Sequence, residues 1–176
     1  MEIGTLFRLL VVLTLVAANG FFVVSEFSLV RIRPTRLREL AERKISAAHV
    51  ALRLLGNMDR VLGSVQLGVT MASLGLGWAG EETVAEMLRP WLLAVMGSSQ
   101  TAVGVAHAVA LCVAFVAVTV MHIIFGELVP KGLALTKTDR LTLMVARPME
   151  FFVAITHPFT VLINHGAARE IGRAHV

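Results

Sequence analysis

The sequence predicts an all-α membrane protein, three transmembrane helices with amphipathic juxtamembrane helices. Of its 176 residues, 56% are hydrophobic and 16% charged, whereas soluble domains carry roughly 25% charged residues. The apolar residues are gathered into runs that match the ~20 residues a helix needs to cross hydrocarbon. The basic residues crowd between two of those runs. Eight (Arg31, Arg33, Arg36, Arg38, Arg43, Lys44, Arg53, Arg60) stand against three acids (Glu39, Glu42, Asp59) in 31–60.

The first span is expected at about 3–30, with Arg8 near its start. It is too long for a signal peptide and carries no cleavage site, so it is expected to stay. The second, about 61–79, is rich in glycine and small residues. The third, about 101–129, is uncharged until Glu127. Residues 81–97 hold three acids and Pro90 but also an apolar stripe, and read as an interfacial or re-entrant piece. Pro34 to Leu55 has helical apolar periodicity (Leu37, Leu40, Ala41, Ile45, Ala48, Leu52, Leu55), which predicts a basic amphipathic helix on the membrane surface. Residues 131–176 read as juxtamembrane helices interrupted at Pro148 and Pro158, because proline lacks a backbone donor. The basic loop belongs in the cytoplasm, which places the N-terminus outside and the C-terminus inside the cytoplasmic membrane.

Composition also limits function. The net charge is +4, but the chain has no tyrosine and two tryptophans, few platforms on which bases could stack. Nucleic acid is not an expected partner; anionic lipid is. Cys112 is the only cysteine, so no intrachain disulfide can form. Sequence signatures of a hydrolytic elbow, a phosphate loop or a zinc helix are missing. Gly75-x-Gly77-x-x-Gly80 follows a membrane helix rather than a strand.

Polar groups inside the spans carry the functional signal, because a buried charge there costs roughly 3 kcal/mol on insertion scales. Asn19, Ser25, Glu26 and Ser28 fall in the first span. At about 100° per residue Asn19 and Glu26 share a face, and the serines lie on another. A serine in a membrane helix often bonds back to its own backbone. The second span offers Gln66, Thr70 and Ser73 before the Gly75–Gly80 run. Those glycines serve either close helix packing or a helix break that frees carbonyls for a cation. In the third, Pro130 cannot donate to the carbonyl of Gly126, which leaves that oxygen beside the Glu127 carboxylate. Carboxylate, carbonyl and hydroxyl oxygens together suit a hard cation such as Mg²⁺. His107 and His122 are too far apart in sequence to form a paired ligand set. An intramembrane hydrolase using His122 and Glu127 is disfavoured, since five positions on a helix put them about 140° apart.

These residues carry a resemblance. Asn19-Gly20-Phe21-Phe22 with Ser25-Glu26-Phe27-Ser28-Leu29-Val30 resembles the first-helix signature of the CorC/CNNM magnesium transporters. Arg36-Leu37-Arg38-Glu39-Leu40-Ala41 and Val65-Gln66-Leu67-Gly68-Val69-Thr70 are similar to its juxtamembrane and second helices. Phe125-Gly126-Glu127-Leu128-Val129-Pro130-Lys131 matches its third-helix motif. The resemblance implies no enzyme but a homodimeric exporter of Mg²⁺, with Na⁺ as counter-ion, joined to cytosolic CBS domains that lie outside this sequence. It also sharpens the site: Ser25, Ser73, Glu127 and the Gly126 carbonyl as ligands, with Asn19, Glu26, Ser28, Gln66 and Thr70 along the pathway. A structural anchor for cytosolic regulatory domains is the alternative function.

Overall fold

The computed structural model describes residues 3–97 and 99–173, and side chains of residues 4–97 and 99–159. All regular structure among them is helical. Helix α1 is Ile3–Arg31, α2 Pro34–Glu42, α3 Ser46–Leu55, α4 Met58–Met96 and α5 Gln100–Met121; a π-helical segment His122–Leu128 leads into α6 Val129–Thr136, and α7 is Thr138–Arg173. Among the described residues three stretches are long and apolar enough to cross a membrane: Gly4–Arg31, Met58–Met96 and Gln100–Thr136.

The chain divides into two compact units, Met1–Phe21 with Val69–Pro130, and Phe22–Gly68 with Lys131–Val176. In the first unit α1 packs on α4 and α5 through Val12, Val16, Leu76 and Val118, while Ala85 meets Ala110 and Ala114. Small residues set the spacing. A Cβ on Gly75 would lie 3.2 Å from Leu15, and one on Gly80 would lie 3.0 Å from Val118. Buried positions on α5 recur every fourth residue at Ala106, Ala110, Ala114 and Val118, and the side chains between them are mostly exposed. Arg8, a charge inside the first candidate span, pairs with Glu86 of α4.

The second unit is built around α7. Leu37, Leu40, Ala48, Ala51 and Leu54 of α2 and α3 are buried, as are Val145, Ala146 and Met149 of α7. Ion pairs tie the rim: Arg36 Nε to Asp139 Oδ2 at 2.8 Å and Arg53 Nη2 to Glu150 Oε1 at 2.7 Å. Thr142 Oγ1 donates to the Ser28 carbonyl at 3.1 Å, and Thr156 Oγ1 donates to Ser64 Oγ at 2.9 Å. The Phe22 ring lies between Phe152, 4.7 Å away between centroids, and the bare face of Gly68.

The structure departs from the sequence expectations in four places. First, α4 runs unbroken through Gly75, Gly77 and Gly80, so those carbonyls stay in the helical ladder and two of the glycines serve close packing instead. Second, 81–97 is no separate interfacial piece. Pro90 lies inside the same helix, which at 1.5 Å per residue is roughly 58 Å long and must outrun an ~30 Å hydrocarbon layer.

Third, 34–55 forms two helices, and their apolar face is spent on packing within the unit rather than on a membrane surface. Lys44, in the left-handed conformation (φ 63°), makes the break. Its N–H reaches the Ala41 carbonyl and that of Ile45 reaches the Leu40 carbonyl, the pairing of a Schellman cap. Fourth, α7 continues through Pro148 and Pro158. Each proline costs a helix about 3 kcal/mol, and the side chains buried around Pro148, at roughly 1.5–3 kcal/mol apiece, are enough to hold it. The backbone of 160–173 is helical; the side chains of the expected apolar run beyond 159 lie outside the described residues.

Candidate cation site

The π segment is the local anomaly on which the site is built. Pro130 has no N–H to give to the Gly126 carbonyl, so the α-helical ladder fails there. A side chain from another helix takes up the vacancy: Asn19 Nδ2 donates to Gly126 O at 3.0 Å. The Val129 N–H turns to the carbonyl of Ile124, one residue further back than an α-helix would allow. Such wide turns recur at functional sites, and insertion of a polar group into the ladder is a known cause of helix distortion.

Glycine makes the approach of α1 feasible. A Cβ on Gly126 would sit 2.6 Å from His122 Cδ2 and 3.0 Å from Asn19 Nδ2; one on Gly20 would sit 3.1 Å from the Pro130 ring. Asn19 is fully buried, and its other amide atom is also in use. Ser73 Oγ donates to Asn19 Oδ1 at 3.4 Å and lies 3.5 Å from His122 Nε2. Asn19, Ser73, His122 and Gly126 thus form one connected polar cluster inside the first unit.

Of the residues expected to bind a cation, the structure brings Ser73 and Gly126 together and joins Asn19 to them. Glu127 follows Gly126 but is exposed, with no hydrogen-bond partner among the described residues of its unit. Thr70 is in that unit and exposed. Ser25, Glu26, Ser28 and Gln66 belong to the second unit. There Ser25 and Ser28 are buried, Glu26 is half-buried and Gln66 exposed. Ser28 Oγ donates weakly to the carbonyl of Ser25 at 3.5 Å, the back-bonding pattern of helix serines.

His122 is the member that sequence reasoning passed over. It precedes Gly126 by four positions, and that spacing puts it on the face of the glycine. The relevant spacing is the one to Gly126, not the one to His107. Among the described residues no three His, Cys, Asp or Glu side chains gather into a metal cluster. Any cation held here would rely mainly on neutral oxygens: the Asn19 amide, the Ser73 hydroxyl and the Gly126 carbonyl. Their chemistry fits Mg²⁺, which prefers oxygen ligands.

Comparison with known proteins agrees with this architecture. The profile described as the cyclin M transmembrane N-terminal domain (CNNM) matches residues 9–172. UPF0053 protein YrkA of Bacillus subtilis is 39% identical over 166 residues, 94% of this chain and 36% of YrkA. UPF0053 protein YugS of the same organism is 35% identical over 161 residues, 92% of this chain and 37% of YugS. The chain therefore spans little more than a third of the length of these relatives. Matched from end to end of its helical region, the chain belongs to the CNNM family of membrane proteins.

Proposed function

We propose that the chain is the transmembrane part of a Mg²⁺ transporter that exports the ion across the cytoplasmic membrane in exchange for Na⁺, by alternating access around an intramembrane site. The observation that carries this reading is the buried cluster of Asn19, Ser73 and Gly126 at a π turn inside an apolar helix. Polar groups are retained at such depth when they serve a pathway. Family membership supports the same reading. Asn19 Oδ1, Ser73 Oγ and Gly126 O are the neutral donors, and Glu127 supplies formal charge from the next residue. Ser25 is proposed on its sequence motif alone, and Glu26, Ser28, Gln66 and Thr70 as lining of the pathway. In the proposal the transporter is a homodimer, and cytosolic CBS domains belong to the longer protein. The basic segment 31–60 lies in the cytoplasm: in a Cys112→Ser background, an impermeant maleimide added outside labels Gln100→Cys and spares Arg43→Cys.

The deciding experiment is Mg²⁺ flux from liposomes containing the protein, with and without a Na⁺ gradient, on wild type and Glu127→Gln. Mg²⁺ loses water reluctantly, and a carboxylate in a low-dielectric site offsets that cost where an isosteric amide does not. Glu127→Gln should abolish flux and Mg²⁺-dependent thermal stabilisation while leaving the fold intact, and Glu26→Gln should be milder. Wild-type protein that moves no Mg²⁺ under either gradient returns the chain to the role of a structural anchor.

A further inference from the structure

A second polar feature stands apart from the cation cluster. Where α1 ends and α2 begins, the second unit forms an open pocket of about 480 Å³ against the start of α7. Arg31, Arg33 and Arg36 line it, together with Thr35, Glu39 and Asp139. The two acids are already answered. Arg36 donates through Nε to Asp139 Oδ2 at 2.8 Å and through Nη1 to Glu39 Oε2 at 2.6 Å. Arg31 and Arg33 are exposed and have no ion pair among the described residues. The wall therefore presents two uncompensated guanidinium groups.

The ligand class follows from charge and from depth. A guanidinium fork binds phosphate through paired N–H donors, and two of them facing one cavity favour an anion with several acceptor oxygens. Arg31 is the last residue of the first candidate span, so the cavity opens where hydrocarbon gives way to headgroups, the level at which lipid phosphates lie. Its volume admits a phosphodiester headgroup. We propose that this cavity binds a phosphate group, presented by an anionic phospholipid of the adjoining leaflet. An occupant held by Arg31 and Arg33 touches the α1–α2 corner and the start of α7 at once, and so braces the second unit. A general attraction of the basic loop for anionic surface would need no cavity and would be screened by salt. A built site should discriminate.

The test uses the full chain in neutral detergent micelles, with thermal unfolding and native mass spectrometry as readouts. Added phosphatidylglycerol should raise the melting temperature and leave a bound-lipid adduct that survives high salt, and phosphatidylcholine should do neither. The double variant Arg31→Gln/Arg33→Gln should bind phosphatidylglycerol about a hundredfold more weakly, as expected for the loss of two charge-assisted hydrogen bonds. Arg38→Gln/Lys44→Gln, which removes the same charge outside the cavity, should bind like wild type. Melting of each variant without lipid verifies that it is folded. An equal rise with soluble glycerol phosphate would keep the phosphate site and assign its occupant to a free phosphate ester. The proposal is overturned if phosphatidylglycerol has no effect, or if both double variants lose the response equally.

Discussion

Replacing Asn19 tests the π turn directly. Asn19 is fully buried, and its amide supplies Gly126 O with a donor that Pro130 cannot provide. In Asn19→Ala that carbonyl loses the bond and no water is at hand in hydrocarbon to replace it, while the Ser73 hydroxyl, deprived of the Asn19 amide oxygen, still has His122 Nε2 at 3.5 Å. Leaving a buried polar group unpaired costs about 1–3 kcal/mol, so a loss near 2 kcal/mol, roughly thirtyfold in the folded-to-unfolded ratio, is the central expectation. Pro130→Ala alone should also destabilise, because its ring packs where a Gly20 Cβ would come within 3.1 Å. It does, however, introduce an N–H four residues after Gly126. The double variant Asn19→Ala/Pro130→Ala should therefore be more stable than the sum of the single losses by about 1 kcal/mol, the net worth of one hydrogen bond. The assay is SDS-induced unfolding in mixed micelles on all four proteins. Strict additivity would refute the argument, since it would mean that proline and asparagine do not act on the same carbonyl.

Other outcomes follow from features outside that turn. Gly68→Ala should cost about 1–3 kcal/mol of overpacking, because its Cβ would fall 2.5 Å from the Phe22 ring, itself backed by Phe152; the same unfolding assay measures it, and Phe22→Leu should relieve part of the loss. Lys44→Gly should stabilise by roughly 0.5–1 kcal/mol, since a left-handed residue without a Cβ carries no steric penalty; unchanged stability would show that the cap tolerates lysine at no cost. Hydrogen bonding from Arg36, and then its charge, hold the Glu39 carboxyl below its ordinary range. That contribution is therefore present above the ordinary carboxylate range and is lost as pH falls through the depressed value. Carboxyl NMR titration should show Glu39 returning to the usual range in Arg36→Gln, and because the pair is exposed the effect on stability should be small.

Span number and helical class were legible in the sequence because they depend on the length and polarity of runs, which hydrocarbon thickness reads almost directly. The three candidate spans overlap the three apolar runs. Helix continuity was less legible. Pro148, Pro158 and the Gly75–Gly80 run are local breakers, yet the helices pass through them because packing outweighs the local cost. The apolar stripe of 34–55 was visible, but a stripe does not say whether lipid or protein will cover it. At the candidate site, the loss of the Pro130 donor was correctly located on Gly126. That the vacancy would be filled by Asn19 depends on α1 lying against the π segment, a tertiary relation that spacing along one helix cannot encode. His122 shares the face of Gly126 by its four-residue spacing, but its meeting with Ser73 is again a relation between helices.

The π segment also governs phase. A stripe that repeats every fourth residue drifts by about 40° per step around an α-helix of 3.6 residues per turn, so the Ala106-Ala110-Ala114-Val118 face would wander off its partner if α geometry simply continued. A turn closed by an i−5 hydrogen bond holds more residues and winds the stripe back, which lets Gly126 and Pro130 be buried as well. The extra residue in that turn thus works as an angular correction. Ordinary α geometry on the same residues would instead carry Gly126 four steps of about 100° from His122, roughly 40° past a full turn and off the face of Asn19. Losing the wide turn without losing a residue should therefore disable the cluster while every side chain is kept, because only their alignment is removed.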